Sequence, residues 1–142
     1  MKEKINNLYN KDNNIAYKTL LELEIITTES NELYYYFDEL LSMLNNDKTF
    51  IRVRGFRLIC SLAKWDTDNK INKNIDKILN ELDDEKGTSV RQCLQKIILI
   101  LMYKPELEEK IENKIRTIDL SKYKDSMQSL IKKDIDYIIE HL

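Results

Sequence analysis

An all-α fold is what the sequence predicts, and three observations predict it. The 142 residues hold only two glycines, Gly55 and Gly87, and one proline, Pro105, so the chain has little punctuation for hairpins. The stretch from Thr49 to Trp65, TFIRVRGFRLICSLAKW, is apolar at almost every position and reads as a helix buried on most of its circumference. One apolar pattern at helical spacing also recurs four times along the chain.

On a 3.6-residue period, Ile51, Gly55, Leu58, Ile59 and Leu62 form one apolar stripe of that central helix, and Phe50, Val53, Phe56, Cys60 and Ala63 a second beside it. Arg54, Arg57, Ser61 and Lys64 fall along one line, which reads as an exposed basic edge. The same apolar spacing appears at Ile15, Thr19, Leu23 and Ile26, at Ile51, Gly55, Ile59 and Leu62, at Val90, Leu94, Ile98 and Leu101, and at Met127, Ile131, Ile135 and Ile138. A more amphipathic helix precedes each copy, over residues 2–9, 32–45, 69–82 and 106–116. The unit is helix, turn, helix, and four units make about eight helices in a single domain, residues 1–142, with no linker. Ile51, Leu58, Ile59, Leu62, Leu94, Ile98 and Leu101 are expected in the core. Gly55 is expected against another helix backbone, since a mid-helix glycine otherwise costs about 1 kcal/mol relative to alanine.

The turns at 44–49 and 82–89 place acids after one helix and a hydroxyl residue before the next, an arrangement that suits capping. Pro105 suits the first turn of the seventh helix, and Glu106, Glu108 and Glu109 complement its dipole.

In two units an acidic turn is followed by an apolar-Arg pair: Asp47 then Ile51-Arg52, and Asp84 then Val90-Arg91. This pattern resembles the HEAT-like repeats of the armadillo/HEAT superfamily, and the middle of the chain is similar to small HEAT-like proteins of Gram-positive bacteria. The resemblance implies a right-handed α-α superhelix, or solenoid, of four helix pairs. It also implies a structural ladder of Asp47, Arg52, Asp84 and Arg91 between repeats. The first and last copies carry Ala16 and Gln128 where arginine is expected, as terminal repeats often do. The proline usual in the first helix of such repeats is absent. Tetratricopeptide repeats, of period about 34, are a rival whose small-residue and proline positions are missing.

Charged residues make up 34 % of the chain but nearly cancel, to a net −2, so any basic site is local. No apolar run approaches the roughly 20 residues of a membrane span, and the N-terminus lacks a signal-peptide core, so a cytoplasmic protein is expected. Cys60 and Cys93 lie within apolar helices and read as buried free thiols. With His141 the only histidine, no metal or cofactor site is expected. Phosphate-cradling loops and histidine bases are absent, and the Asp83-Asp84 pair reads as a solvated turn, so an enzyme is not expected.

Arg54, Arg57, Lys64 and, one repeat on, Lys96 could line a concave basic face that holds an acidic peptide or a phosphate backbone; alternatively they meet acids such as Asp38, Glu39 or Glu81 of neighbouring helices. On the first reading Arg57 is exposed and contributes little to stability. Trp65, at the end of that helix, is a packing wedge or a binding platform. Tyr34, Tyr35 and Tyr36 span about 200° of a helix, so at least one ring should lie outside the core and offer a contact surface. These features point to a non-enzymatic interaction module for a peptide or partner protein, monomeric or weakly oligomeric. The alternative is a nucleic-acid-binding or DNA-repair protein resembling the HEAT-like DNA-alkylation-repair glycosylases, whose binding would weaken steeply with salt.

Overall fold

The computed structural model describes residues 1–142 and contains no strand. Nine α-helices form: α1 (Lys2–Asn7), α2 (Asn13–Glu29), α3 (Phe37–Met43), α4 (Thr49–Ser61), α5 (Lys70–Lys73), α6 (Ile75–Leu79), α7 (Gly87–Tyr103), α8 (Glu108–Arg116) and α9 (Asp125–Glu140). Nine replace the expected eight because the third first-helix breaks at Asn74, whose side-chain amide donates to the Lys70 carbonyl at 2.8 Å and draws the backbone out of helix geometry. Short 3-10 turns precede α3 and α8, the latter opening on Pro105, and follow α6.

The long helices pack in series: α2 on α4, α4 on α7, and α7 on α9. Helices α1, α3 and α8 lie on α2, α4 and α9, and the 3-10 turns Ala63–Trp65 and Asn80–Asp83 lie on α7. From Val53 to Cys60 every residue of α4 is buried. Gly55 is where α3 comes closest: a Cβ there would lie 2.8 Å from the Met43 Cβ and 2.9 Å from the Leu40 carbonyl oxygen. Cys60 and Cys93 are both buried and free, and burial raises both thiol pKa values.

The apolar repeat needs one correction. Ile51, Leu58, Ile59, Leu62 and Leu94 are buried, but Ile98 and Leu101 are only half-buried and border an open cavity of about 290 Å³ between the C-terminal ends of α7 and α9. Helices α4, α7 and α9 begin at Thr49, Gly87 and Asp125, a constant step of 38. In that register Ile51, Gly55, Ile59 and Leu62 correspond to Ser89, Cys93, Ile97 and Ile100, all of them buried. The expected third copy is thus displaced by one residue, which turns it by about 100° around the helix. Phe50 and Ile15, both counted as apolar-face residues, are largely exposed.

The turns are ordered by side-chain carbonyls rather than by hydroxyls. Asn10, Asn46 and Asp84 each accept from the backbone N–H two residues on, at 2.8 Å in all three cases. Thr49 and Ser89 cap nothing: Thr49 accepts from the Arg52 side chain, and the buried Ser89 hydroxyl has no partner.

Of the four residues expected in a ladder, only Arg52 and Asp84 pair with each other. Arg52 donates to Asp84 across the repeat at 2.6 Å and to the Asn46 and Asp47 carbonyls at 2.9 and 3.0 Å. The Asp47 carboxylate is exposed and unbonded, because Asn46 occupies the turn position that Asp84 holds one repeat later. Arg91 pairs with Asp134 of α9 at 2.8 Å rather than with a turn acid.

Beside the Arg52–Asp84 pair lies Glu81, buried, with one carboxyl oxygen lacking a partner. Burial, then the neighbouring Asp84, push its carboxyl from an ordinary 4.5 up to about 8, whereas Asp84 is held below the usual range. Arg52 lies closer to Asp84, at 2.6 Å, than to Glu81, at 3.3 Å, so its charge serves mainly Asp84. A raised folded-state pKa stabilises the fold below the unfolded value and loses that contribution as pH rises through the folded one. Stability is therefore expected to fall between about pH 5 and 8. Thermal unfolding of the wild type and Glu81→Gln across that range checks it: the variant should lose most of the slope, and equal slopes would contradict the assignment.

Candidate functional site

The basic line of α4 is not an exposed edge. Arg54 and Arg57 retain only 6 % and 7 % of their surface, because α2 and α7 close over the side of α4 that carries them. Arg57 makes a two-pronged pair with Glu24 of α2, Nε at 3.0 Å and Nη2 at 2.7 Å, and donates to the Gln92 side chain of α7 at 3.0 Å. Burial works against its charge, but the bonds and charge of Glu24 outweigh burial and raise its pKa. Lys96 Nζ stands 3.4 Å from the same carboxylate, so one acid gathers two cations from two helices. The acids that meet the basic residues are thus not Asp38, Glu39 or Glu81 but Glu24.

Lys64 and Trp65 finish another helix. Trp65 Nε1 donates to the Thr27 carbonyl and Lys64 Nζ to the Thr28 carbonyl, each at 2.7 Å, and Lys64 also lies 4.9 Å from the Trp65 ring centre. Carbonyls of the last turn of α2 have no intrahelical donors, and these two side chains supply them. Trp65 is a wedge.

The three tyrosines divide. Tyr34 donates to Asp66 at 2.6 Å, and burial followed by that acid raises its pKa. Asp66 is itself buried, accepts from the Lys70 and Ile71 amides at 2.9 Å, and pairs with Lys104 at 3.2 Å. Tyr35 is 86 % exposed, with Tyr36 set edge-on at 5.1 Å between ring centres. Of the three, only Tyr35 offers an open contact.

Arg54 differs from Arg57 in having no carboxylate. Its guanidinium donates to the Leu8 carbonyl at 2.8 Å and to the Asn13 side-chain oxygen at 3.1 Å, both neutral, and burial alone lowers its pKa. It forms one wall of a cavity of about 450 Å³ at the N-terminal end of α4. Lys11, Lys48 and Lys86 line the same cavity from three successive turns, and none of them makes an ion pair. Asp47 is the one acid in the lining. Phe50 stands at the rim, with Lys86 Nζ 4.9 Å from its ring centre. A second cavity of about 250 Å³ shares Asn13, Phe50 and Arg54 and continues over Tyr17, Leu20 and Val53, so a cationic mouth leads onto an apolar shelf.

Sequence reasoning selected Arg54 but missed the three lysines. Their signal was a lysine placed directly before α4, α7 and α9, at Lys48, Lys86 and Lys124, and one residue earlier at Lys11. Comparison of the chain with protein-family models, with curated proteins and with solved structures found no match.

Removing one member of a buried ion pair leaves the other charge unpaired, which costs about 3–5 kcal/mol. Arg57→Met is expected to destabilise the fold by that amount in urea unfolding. A loss under about 1 kcal/mol would show that Arg57 is dispensable to the fold.

Proposed function

We propose that this protein is a HEAT-like α-solenoid interaction module that acts by binding rather than catalysis, and that it recognises an acidic segment of a partner protein, in the cytoplasm, through the cationic cavity at the N-terminal end of α4. The serial packing of α2, α4, α7 and α9, with α1, α3 and α8 on their own partners, supports the solenoid reading. The observation that carries the binding reading is Arg54: a buried guanidinium without a counter-charge, beside three unpaired lysines. A buried charge held only by neutral groups is costly, and an incoming carboxylate relieves that cost with bonds of about 1.5–3 kcal/mol each. The proposed site is therefore not the α4 line, where Glu24 pairs with Arg57 and Lys96, but the cavity that the turns line.

Nucleic-acid binding is the second reading, favoured by the lysines that mark successive turns, Lys11, Lys48, Lys86 and Lys124. Acids alternate with them at Asp12, Asp47, Glu85 and Asp125, which weakens any continuous phosphate track.

Fluorescence anisotropy with a labelled glutamate-rich peptide carrying apolar residues, and with a labelled DNA duplex, separates the two. The peptide should bind, Lys48→Ala/Lys86→Ala should weaken it about tenfold or more, and unfolding temperature should barely change, since both lysines are exposed. Duplex binding that falls about a thousandfold between 50 and 200 mM salt, with no peptide binding, would overturn the proposal.

A further inference from the structure

We infer that the anion this cavity takes is a dianionic phosphoryl group carried on a side chain of the partner, an inference that rests on the acidic-segment reading above. Charge is the first argument. Arg54, Lys11, Lys48 and Lys86 face one carboxylate, Asp47, an excess that a single carboxylate leaves mostly uncompensated. A phosphorylated side chain brings about −1.5 to −2 charges and three acceptor oxygens to one point.

Donor geometry is the second argument. Helix α4 spans 13 residues, its preceding residue Lys48 places no side chain over the helix end, and the Thr49 and Phe50 amides make no hydrogen bond. Both residues line the cavity together with Arg54, which is itself more than nine-tenths buried. Residues that carry two free backbone amides, a guanidinium and three ammonium groups thus line one space, and that number of donors suits the oxygens of a phosphoryl group better than the two of a carboxylate.

The shelf is the third. Tyr17, Leu20, Phe50 and Val53 line the adjoining cavity, which gives an apolar neighbour of the modified residue a place to pack. A peptide carries such a neighbour and free phosphate does not.

Amide-detected NMR of the full chain at pH 7.5 and fixed ionic strength tests this, with inorganic phosphate and acetate as probes, followed by one peptide in phosphoserine and serine forms with an adjacent leucine, and a glutamate-rich peptide. The Thr49 and Phe50 amides should shift saturably with phosphate and little with acetate. The phosphoserine peptide should bind about tenfold or more tighter than the serine form and the glutamate-rich peptide. Lys48→Ala/Lys86→Ala should abolish both effects with an otherwise unchanged spectrum, a control that avoids the buried Arg54. Equal responses to phosphate and acetate, or equal binding of the phosphorylated and glutamate-rich peptides, would overturn this inference and leave the acidic-segment reading standing. A phosphate response without a gain for the phosphopeptide would overturn the assignment to a protein side chain. No response to any anion or peptide would overturn both readings.

Discussion

Enclosure of α4 is the constraint from which the other contacts follow. With every residue from Val53 to Cys60 buried, the helix has no water-facing side on which to place Arg54 and Arg57, so both guanidinium groups must find acceptors inside the protein. Glu24 meets Arg57 and Lys96 and so ties α2 to α4 and α7 at one point, with Gln92 completing the donors' needs. On the opposite side Gly55 lets α3 approach to a distance that any Cβ would obstruct. A helix held this way fixes the spacing of its neighbours on each flank.

Two arginines three positions apart on one helix consequently do different work. Arg57 lies at mid-helix, where α2 and α7 meet over it, and its charge is cancelled. Arg54 lies one turn nearer the N-terminus, against the α1–α2 turn and the first residue of α2, where it meets the Leu8 carbonyl and the Asn13 side-chain oxygen but no carboxylate, because Asp12, the acid of that turn, accepts from the Asn14 amide instead. The same turn geometry brings Lys11, Lys48 and Lys86 together, because each precedes a long helix and the long helices pack in series. Unpaired positive charge therefore gathers at the N-terminal end of α4 rather than along its middle.

Much of the helix plan was legible in the sequence, since the four long helices and the approach at Gly55 follow from apolar spacing and from the scarcity of glycine and proline. The third copy was misplaced by one residue because α7 is apolar over a wide arc: Val90 and Leu94 are buried as well as Cys93 and Ile97, so spacing alone admits both alignments. The turns carried the better signal, as Asn10, Asn46 and Asp84 perform one task with two residue types. The sequence left open whether the basic line is exposed or paired and did not point to its acid, because Glu24 lies 33 positions from Arg57 and on another helix. The cavity was legible only as lysines before helices, a pattern that also suits solvated turns.

Positive charge in this protein is closed by Glu24 and Asp66 in some places and open at the α4 cavity in another. Lysine acetylation under native conditions, read residue by residue by mass spectrometry, measures that contrast directly. Lys48, which is exposed and has no acidic partner, should react fast, whereas Lys104, with a side chain 6 % exposed against Asp66, and Lys96, held beside Glu24, should react far more slowly. Acetylation of Lys96 at the rate of Lys48 would mean that Glu24 does not hold Lys96 and that the charge cluster between α2, α4 and α7 is open.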